Sequence, residues 1–351
     1  MDQKRMQWKN LTDLKNYWDN NMKKYKIPTG YIITDTYSKE YQLETLSIGD
    51  YGKDKNIKAP FLGFNNDING VPNGDILPLS VKWVITLSSQ YGCPMKCSFC
   101  DVPSVGYKGN ATFGDMLHQI INALNCFPDV KYTDRLNIHF ARMGEPSFNS
   151  DVLRLSESLY NDRRSFQSIT GKRFEVIHPV VSTMCPKTGN TFDFIKKWVN
   201  IKNELYKGQA GLQISVNSTN ENQRNDMFKG LSFSLKDISE NLKYLPDPVG
   251  RKYCLNFALA SGYEVDAKKL RGLFDPEKWM VKITPIHNNT ACKTNNIETH
   301  DGYMSFTPYK QAENDLQNAG YDTIVFVPSW DEENGCVTCG NAILGQSELR
   351  L

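Results

Sequence analysis

No stretch of this 351-residue chain approaches the roughly 18 consecutive apolar residues that a membrane-spanning helix needs. Net charge is also small. Lys and Arg number 41 against 39 Asp and Glu, leaving +2, a field too weak for charge alone to demand a nucleic-acid partner. The opening residues, MDQKRMQWKN, carry basic side chains with no apolar segment behind them, so no secretory signal is legible. The expectation from these absences is a cytoplasmic protein with no membrane partner. Internal repeats and low-complexity tracts are missing as well. Histidines at metal-ligand spacing are missing too, and His118, His139, His178 and His300 read as structural.

What is present begins with an N-terminal extension, residues 1–80. Trp8, Leu11, Leu14 and Trp18 recur at helical spacing, which predicts an amphipathic helix over the first 30 residues, ended by Pro28 and Gly30. The stretch 31–49 predicts a short β-hairpin, and the turn-rich segment with Asn69-Gly70 and Asn73-Gly74 predicts surface loops. From residue 81 to 351 the pattern becomes regular. Strand-like runs fall at 81–87, 136–141, 174–182, 212–217, 253–260 and 279–286, with helical patterns between most of them. A helix from Pro308 to Ala319 and a strand at 323–328 close the series. Such alternation implies an α/β fold on a parallel sheet, open or curved. In LQISVN the residues Leu212, Ile214 and Val216 alternate with Gln213, Ser215 and Asn217. One greasy face and one polar face favour a partial (βα)6 TIM-like barrel whose interior holds a ligand.

Nine cysteines are present, and three crowd into CPMKCSFC just after the first strand of that series. Cys93, Cys97 and Cys100 thus stand in a C-x3-C-x2-C spacing. In a chain with no legible secretion signal, that spacing argues for metal chemistry over a disulfide framework. A structural zinc site would need a fourth ligand nearby, and a ferredoxin would need a fourth cysteine; the sequence offers neither. Three thiolates on a [4Fe–4S] cluster leave one iron open. An open iron can chelate the amino and carboxylate groups of S-adenosylmethionine (SAM) and deliver an electron to its sulfonium. The products would be methionine and a 5′-deoxyadenosyl radical, a hydrogen abstractor beyond the reach of any side chain. The strand-end position agrees, because active sites of such barrels lie at the C-terminal ends of the strands.

Four further segments follow in a telling order: RMGEPSFN (142–149), VSTMCP (181–186), ISVNSTNENQR (214–224) and TCGN (338–341). With SSQYGCPMKCSFC (88–100), this order resembles the RNA adenine methyltransferases of the RlmN/Cfr type, radical SAM enzymes that methylate C2 or C8 of adenine. The similarity runs over about residues 81–345. The resemblance implies that Cys93, Cys97 and Cys100 ligate the cluster and that Phe99 packs on it. Gly144, Glu145 and Pro146 match a GEP loop that contacts the SAM amino group, and Ser182 and Ser215 match serines that contact SAM. Asn217 stands where the family has His, and His287 where it usually has an Asn that touches SAM. Cys339 matches a cysteine that takes a methyl group from one SAM and carries it to the substrate.

Two departures are visible. The family's second cysteine, which frees the product by forming a disulfide with the methyl carrier, is Thr86 here. A hydroxyl cannot form a disulfide; Cys336 could substitute, since a C-x2-C pair can close one, or the enzyme does not methylate by that route. The chain before the cluster is also shorter than in the family, and basic residues such as Arg163, Lys172 and Lys196 are scattered. RNA, or a related nucleotide, as substrate therefore rests on the resemblance. A weaker match, LETLSIG (43–49), places Glu44 at a family position read as a proton acceptor. The competing reading is a surface hairpin glutamate. The reaction would need an electron donor such as flavodoxin or ferredoxin. The functional alternatives are a non-methylating radical SAM oxidoreductase, rearrangement or protein-activating enzyme, and a non-catalytic iron–sulfur binding module.

Overall fold

A computed structural model describes residues 22–27, 29–36, 41–49, 78–188, 190–300, 307–326 and 340–344. Twelve strands occur among them: β1 (Met22–Ile27), β2 (Gly30–Thr36), β3 (Gln42–Ile48), β4 (Lys82–Leu87), β5 (Gln90–Tyr91), β6 (Gly109–Asn110), β7 (Tyr132–Phe140), β8 (Arg173–Thr183), β9 (Gly211–Ser215), β10 (Tyr253–Leu259), β11 (Trp279–Pro285) and β12 (Thr323–Val325). Ten form one sheet in the order β1-β2-β3-β4-β7-β8-β9-β10-β11-β12, and β5 pairs with β6 apart from it. From β4 to β12 every neighbour is parallel. The first four strands are joined antiparallel. The fold is therefore mixed α/β on a large parallel sheet, as expected. Among the described residues β1 and β12 are its two free edges, so the sheet is not a closed barrel.

The expected hairpin is present as β2 and β3, in register from Gly30↔Ile48 to Thr36↔Gln42. The expected first helix needs correction in its last part. Residues 22–27 are strand β1, which reverses into β2 with Ile27 opposite Gly30. Pairing along six residues, with Lys24 over the Tyr31 ring at 5.7 Å, outweighs the helical spacing read from residues further upstream. The earlier part of that helix, Trp8 to Trp18, lies outside the described residues, as do the loops at 50–77.

The outer face of the sheet is greasy because it lies under helices. Phe113–Asn125 is the helix that best explains how the site is held. Thr112 and Asp115 form a reciprocal cap at its start, with Thr112 N donating to the Asp115 carboxylate at 2.8 Å and Asp115 N donating to Thr112 Oγ1 at 3.2 Å. Met116, Ile120, Ala123 and Leu124 then fall on one face and bury fully with Ile85, Leu87, Ile138 and Phe140 of β4 and β7. Burying each large aliphatic side chain contributes about 1.5–3 kcal/mol. The same helix supplies Gln119, wholly buried. Its Oε1 accepts from Ser88 N and Thr45 Oγ1 at 2.9 Å, and its Nε2 donates to Ser88 O at 2.9 Å. That fixes the chain where it leaves β4 for the cysteine loop. No helix among the described residues is long and apolar enough to cross a membrane.

Candidate active site

Beyond β4 the chain turns through Ser88, Ser89 and Gln90 into the cysteine loop. Three hydrogen bonds to its backbone brace that loop from two sides. Ser98 N donates to Met227 O at 2.8 Å, Asn289 Nδ2 to Phe99 O at 2.9 Å and Asn295 Nδ2 to Ser98 O at 2.9 Å. Phe99 meets Phe228 edge to face, with ring centroids 5.6 Å apart. The loop is thus held by the chain beyond β9 and beyond β11, the C-terminal ends of the parallel strands.

At those ends lies a cavity of about 190 Å³. Cys93, Cys97, Cys100, Phe99, Gly144, Glu145, Ser182 and Ser215 all line it. Residues separated by 122 positions in the sequence are therefore brought to one place. Among the described residues no three His, Cys, Asp or Glu side chains converge on a single-ion site. The three thiols instead share the wall of a cavity larger than an ion. Burial pushes the Cys97 thiol far above its ordinary value, with Cys93 and Glu145 adding to the effect. Such a thiol is neutral unless a metal draws off its proton.

Successive strand ends turn sharply at the cavity. After β7 comes Gly144 with φ +102°, after β8 Cys185 with φ +55°, and after β9 Asn217 with φ +62°. At Gly144 a Cβ would lie 2.7 Å from Gln90 Cβ and Cγ, so only glycine fits. The tight approach lets Glu145 N donate to Gln90 Oε1 at 2.8 Å. Pro146, buried, opens the short 3-10 turn that follows.

Glu145 is 4% exposed. Its Oε1 accepts from Ser147 N and its Oε2 from Met184 N, both at 3.0 Å, so one carboxylate joins the ends of β7 and β8. Burial holds it above the ordinary carboxylate range against the lowering effect of those bonds. Among the described residues no cationic side chain pairs with it. A buried carboxylate of this kind in a cavity wall is suited to an ammonium ligand. Ser182 Oγ donates to Gln213 Oε1 at 3.1 Å.

Asn217 is buried beside the cavity but does not line it. Its Oδ1 accepts from Ala258 N at 3.0 Å, while its Nδ2 is buried with no partner among the described residues. His287 also lies apart from the first cavity. With Thr86, Arg142, Lys282 and Thr284 it lines a second one of about 290 Å³ that shares Ala141 and Arg142 with the first. Burial, and then Arg142, push the His287 imidazole down to about 4, so it is neutral at physiological pH. Thr86 sits in β4, opposite Leu46 of β3 and His139 of β7.

Glu44 is not a surface residue. The reading of it as an exposed hairpin glutamate fails because β3 is an interior strand, flanked by β2 and β4, and Glu44 is fully buried. Cys336 and Cys339 lie outside the described residues.

Two arginines of the site were not legible in the sequence. Arg142 precedes the GEP segment and lies with its Nε 2.9 Å from Glu44 Oε1. Arg224, 2% exposed, gives Nη1 to Ser215 O and Val216 O at 2.7 Å and stacks over Phe228 at 4.7 Å. It ties the end of β9 to the ring that packs on Phe99. In the sequence it closes the polar run NENQR, which reads as a solvated helix start.

No protein-family model matches the chain. It is 25% identical over 259 residues to the dual-specificity RNA methyltransferase RlmN of Pseudomonas fluorescens, covering 71% of this chain and 61% of that relative. It is 28% identical over 208 residues to the dual-specificity RNA methyltransferase RlmN of Lawsonia intracellularis, covering 57% and 53%. The chain thus spans between 53% and 61% of the length of these two curated relatives. In fold it is similar to a radical SAM methyltransferase from Sphaerobacter thermophilus, with a TM-score of 0.60 and 17% identity over 92% of this chain and 81% of the other. The chain is thus similar in sequence to RlmN-type RNA methyltransferases and in fold to a radical SAM methyltransferase.

Proposed function

We propose that this enzyme binds a [4Fe–4S] cluster through Cys93, Cys97 and Cys100, cleaves SAM reductively, and methylates an adenine in RNA or in a related nucleotide. The observation that supports this most is the convergence of the three thiols with Glu145, Ser182 and Ser215 on one cavity at the strand ends. In this reading β4 and β7 to β11 are the six strands of a partial barrel curved around the two cavities. When bound, the cluster supplies the electron that breaks a carbon–sulfur bond of SAM.

The chain's own residues do the rest. Glu145 presents its buried carboxylate to the SAM amino group, and the Gly144 turn brings the backbone close enough for that contact. Ser182 and Ser215 offer hydroxyls from adjacent strands, and the unpartnered Nδ2 of Asn217 is a further donor at the end of β9. His287, neutral, faces the neighbouring cavity, where the substrate would meet the methyl carrier. Cys339 carries the methyl group as a thioether, and Cys336 takes the place of the resolving thiol absent at Thr86. A small acidic carrier such as flavodoxin or ferredoxin supplies the electron.

Anaerobic reconstitution should give close to four iron and four sulfide per chain and 5′-deoxyadenosine on reduction with SAM. Changing any of the three cysteines to Ala should abolish both. Methyl-deuterated SAM should leave its label on Cys339, read by peptide mass spectrometry. Stoichiometric zinc with no SAM cleavage would overturn the cluster reading.

One observation favours a second reading. With Thr86 in β4, the residue facing the second cavity from that strand is a hydroxyl where the family's release step needs a thiol. If SAM is cleaved while Cys339 stays unlabelled, the enzyme is a non-methylating radical SAM oxidoreductase or rearrangement enzyme.

A further inference from the structure

Glu44 and Arg142 form a buried pair with side-chain exposures of 0% and 2%. The Glu44 carboxylate holds more than this guanidinium. Its Oε1 also accepts from Gly340 N at 2.8 Å, and its Oε2 accepts from Ile343 N at 3.0 Å. Two backbone donors and one ion-pair contact thus crowd the roughly four acceptor positions a carboxylate has.

One of the two backbone donors, Ile343, belongs to the first turn of Asn341–Leu344, a helix of four residues, and the other is Gly340, the residue that precedes it. A helix so short does not form by itself in water, and the N–H groups of its first turn have no partner within it. Glu44 supplies that partner from a strand 296 positions earlier in the chain. Ala342 adds apolar contact, fully buried with Ile27, Ile32 and Leu46. On its other side Gly340, with φ +88°, is pressed against the cysteine loop, where a Cβ would come within 3.0 Å of Val102 N. Arg142 lines both cavities and stands two residues before Gly144.

We propose that the Glu44–Arg142 pair is a latch that seats the segment following Cys339 against the cysteine loop, so that Glu44 acts as a positioning residue. This rests on the methyl-carrier reading of Cys339 for its consequence in catalysis, but the latch itself can be tested without turnover. The pair connects β3, the residue leading into the SAM loop, the cysteine loop and the methyl-carrier segment through one carboxylate. A proton acceptor needs a lone pair free to meet the proton, whereas this carboxylate is committed to three neighbours.

Glu44→Gln is the first test, because Gln keeps one acceptor and sets an NH2 group against one of the two backbone N–H groups. By hydrogen exchange, the Gly340 and Ile343 amides should open about tenfold faster, as loss of a buried hydrogen bond predicts, with the helix Phe113–Asn125 unchanged. The pH–rate profile of methyl transfer should keep its shape at a lower plateau. Arg142→Lys, which keeps the charge, should retain most of the protection, and Arg142→Met should lose it. Unchanged exchange at the two amides in Glu44→Gln would overturn the latch. So would loss of the acid limb of the profile with methyl loading of Cys339 intact, the signature of a general base. If Glu44→Gln does not fold, wild-type exchange decides, since open-chain rates at Gly340 and Ile343 would exclude the latch. A wild-type enzyme that never methylates Cys339 would sink the proposed function and leave the exchange result standing.

Discussion

Replacing Glu145 by Gln removes one charge from the cavity wall and almost no volume. The consequences follow from its two backbone partners. Ser147 N and Met184 N each donate to one carboxylate oxygen at 3.0 Å. Gln offers one oxygen, so its NH2 must face the other N–H and leave a buried donor unsatisfied. That costs about 1–3 kcal/mol of stability. The loss for SAM is separate. A charge-assisted hydrogen bond to an ammonium is worth about 1.5–3 kcal/mol, equivalent to a roughly ten- to hundredfold weaker affinity. Anaerobic titration of the reconstituted protein with SAM measures the second effect, and thermal unfolding of the apoprotein the first. Iron content is the control and should not change. SAM affinity within twofold of wild type, with iron retained, would refute the assignment of Glu145 to the amino group.

Gly144→Ala should act on the same contact from the backbone. Its Cβ would collide with Gln90 at 2.7 Å and its φ of +102° is strained for Ala, so stability should fall by about 1–3 kcal/mol with a drop in SAM affinity; wild-type affinity would mean the turn is not part of the site. Asp35→Asn tests burial in β2. Burial raises the Asp35 carboxyl from 3.8 to about 7, against a hydrogen bond from Asn122. The folded protein therefore holds a proton that the unfolded chain has released, and wild-type stability should fall as pH rises from 3.8 to about 7, by up to about 4 kcal/mol. Denaturant unfolding at pH 5 and pH 8 should show about 2.7 kcal/mol of that loss in wild type and little of it in Asp35→Asn; a variant no more stable than wild type at pH 8 would refute the shift.

The parallel strands were legible because each is an apolar-rich, often alternating run between turn residues, and local sequence is enough to specify that. The cysteine loop was legible because three cysteines fall within eight residues. Gly144, Glu145, Ser182 and Ser215 are short segments far apart, and only their order connected them before the fold brought them to one cavity. Asn217 and His287 show the limit of that reasoning. Both come near the strand ends, but Asn217 turns back to bond Ala258 N and His287 opens on the second cavity. The partners of Glu44, and the roles of Arg142 and Arg224, were hidden for a common reason. A lone charged residue reads locally as solvated, and nothing nearby in the sequence reveals partners such as Gly340, Glu44 or the carbonyls of Ser215 and Val216. The N-terminal strand β1 was misread because helical spacing is a short-range signal and strand pairing is not.

The contact between Glu44 and Gly340 also sets an order in time. Gly340 follows Cys100 by some 240 positions in the chain. At synthesis rates of about 5–20 residues per second, roughly 10 to 50 s pass between the emergence of the two. During that interval the cysteine loop has been made and the segment that will press on it has not. A prosthetic group can therefore enter an open nascent site before the segment at Gly340 is made and pressed against it.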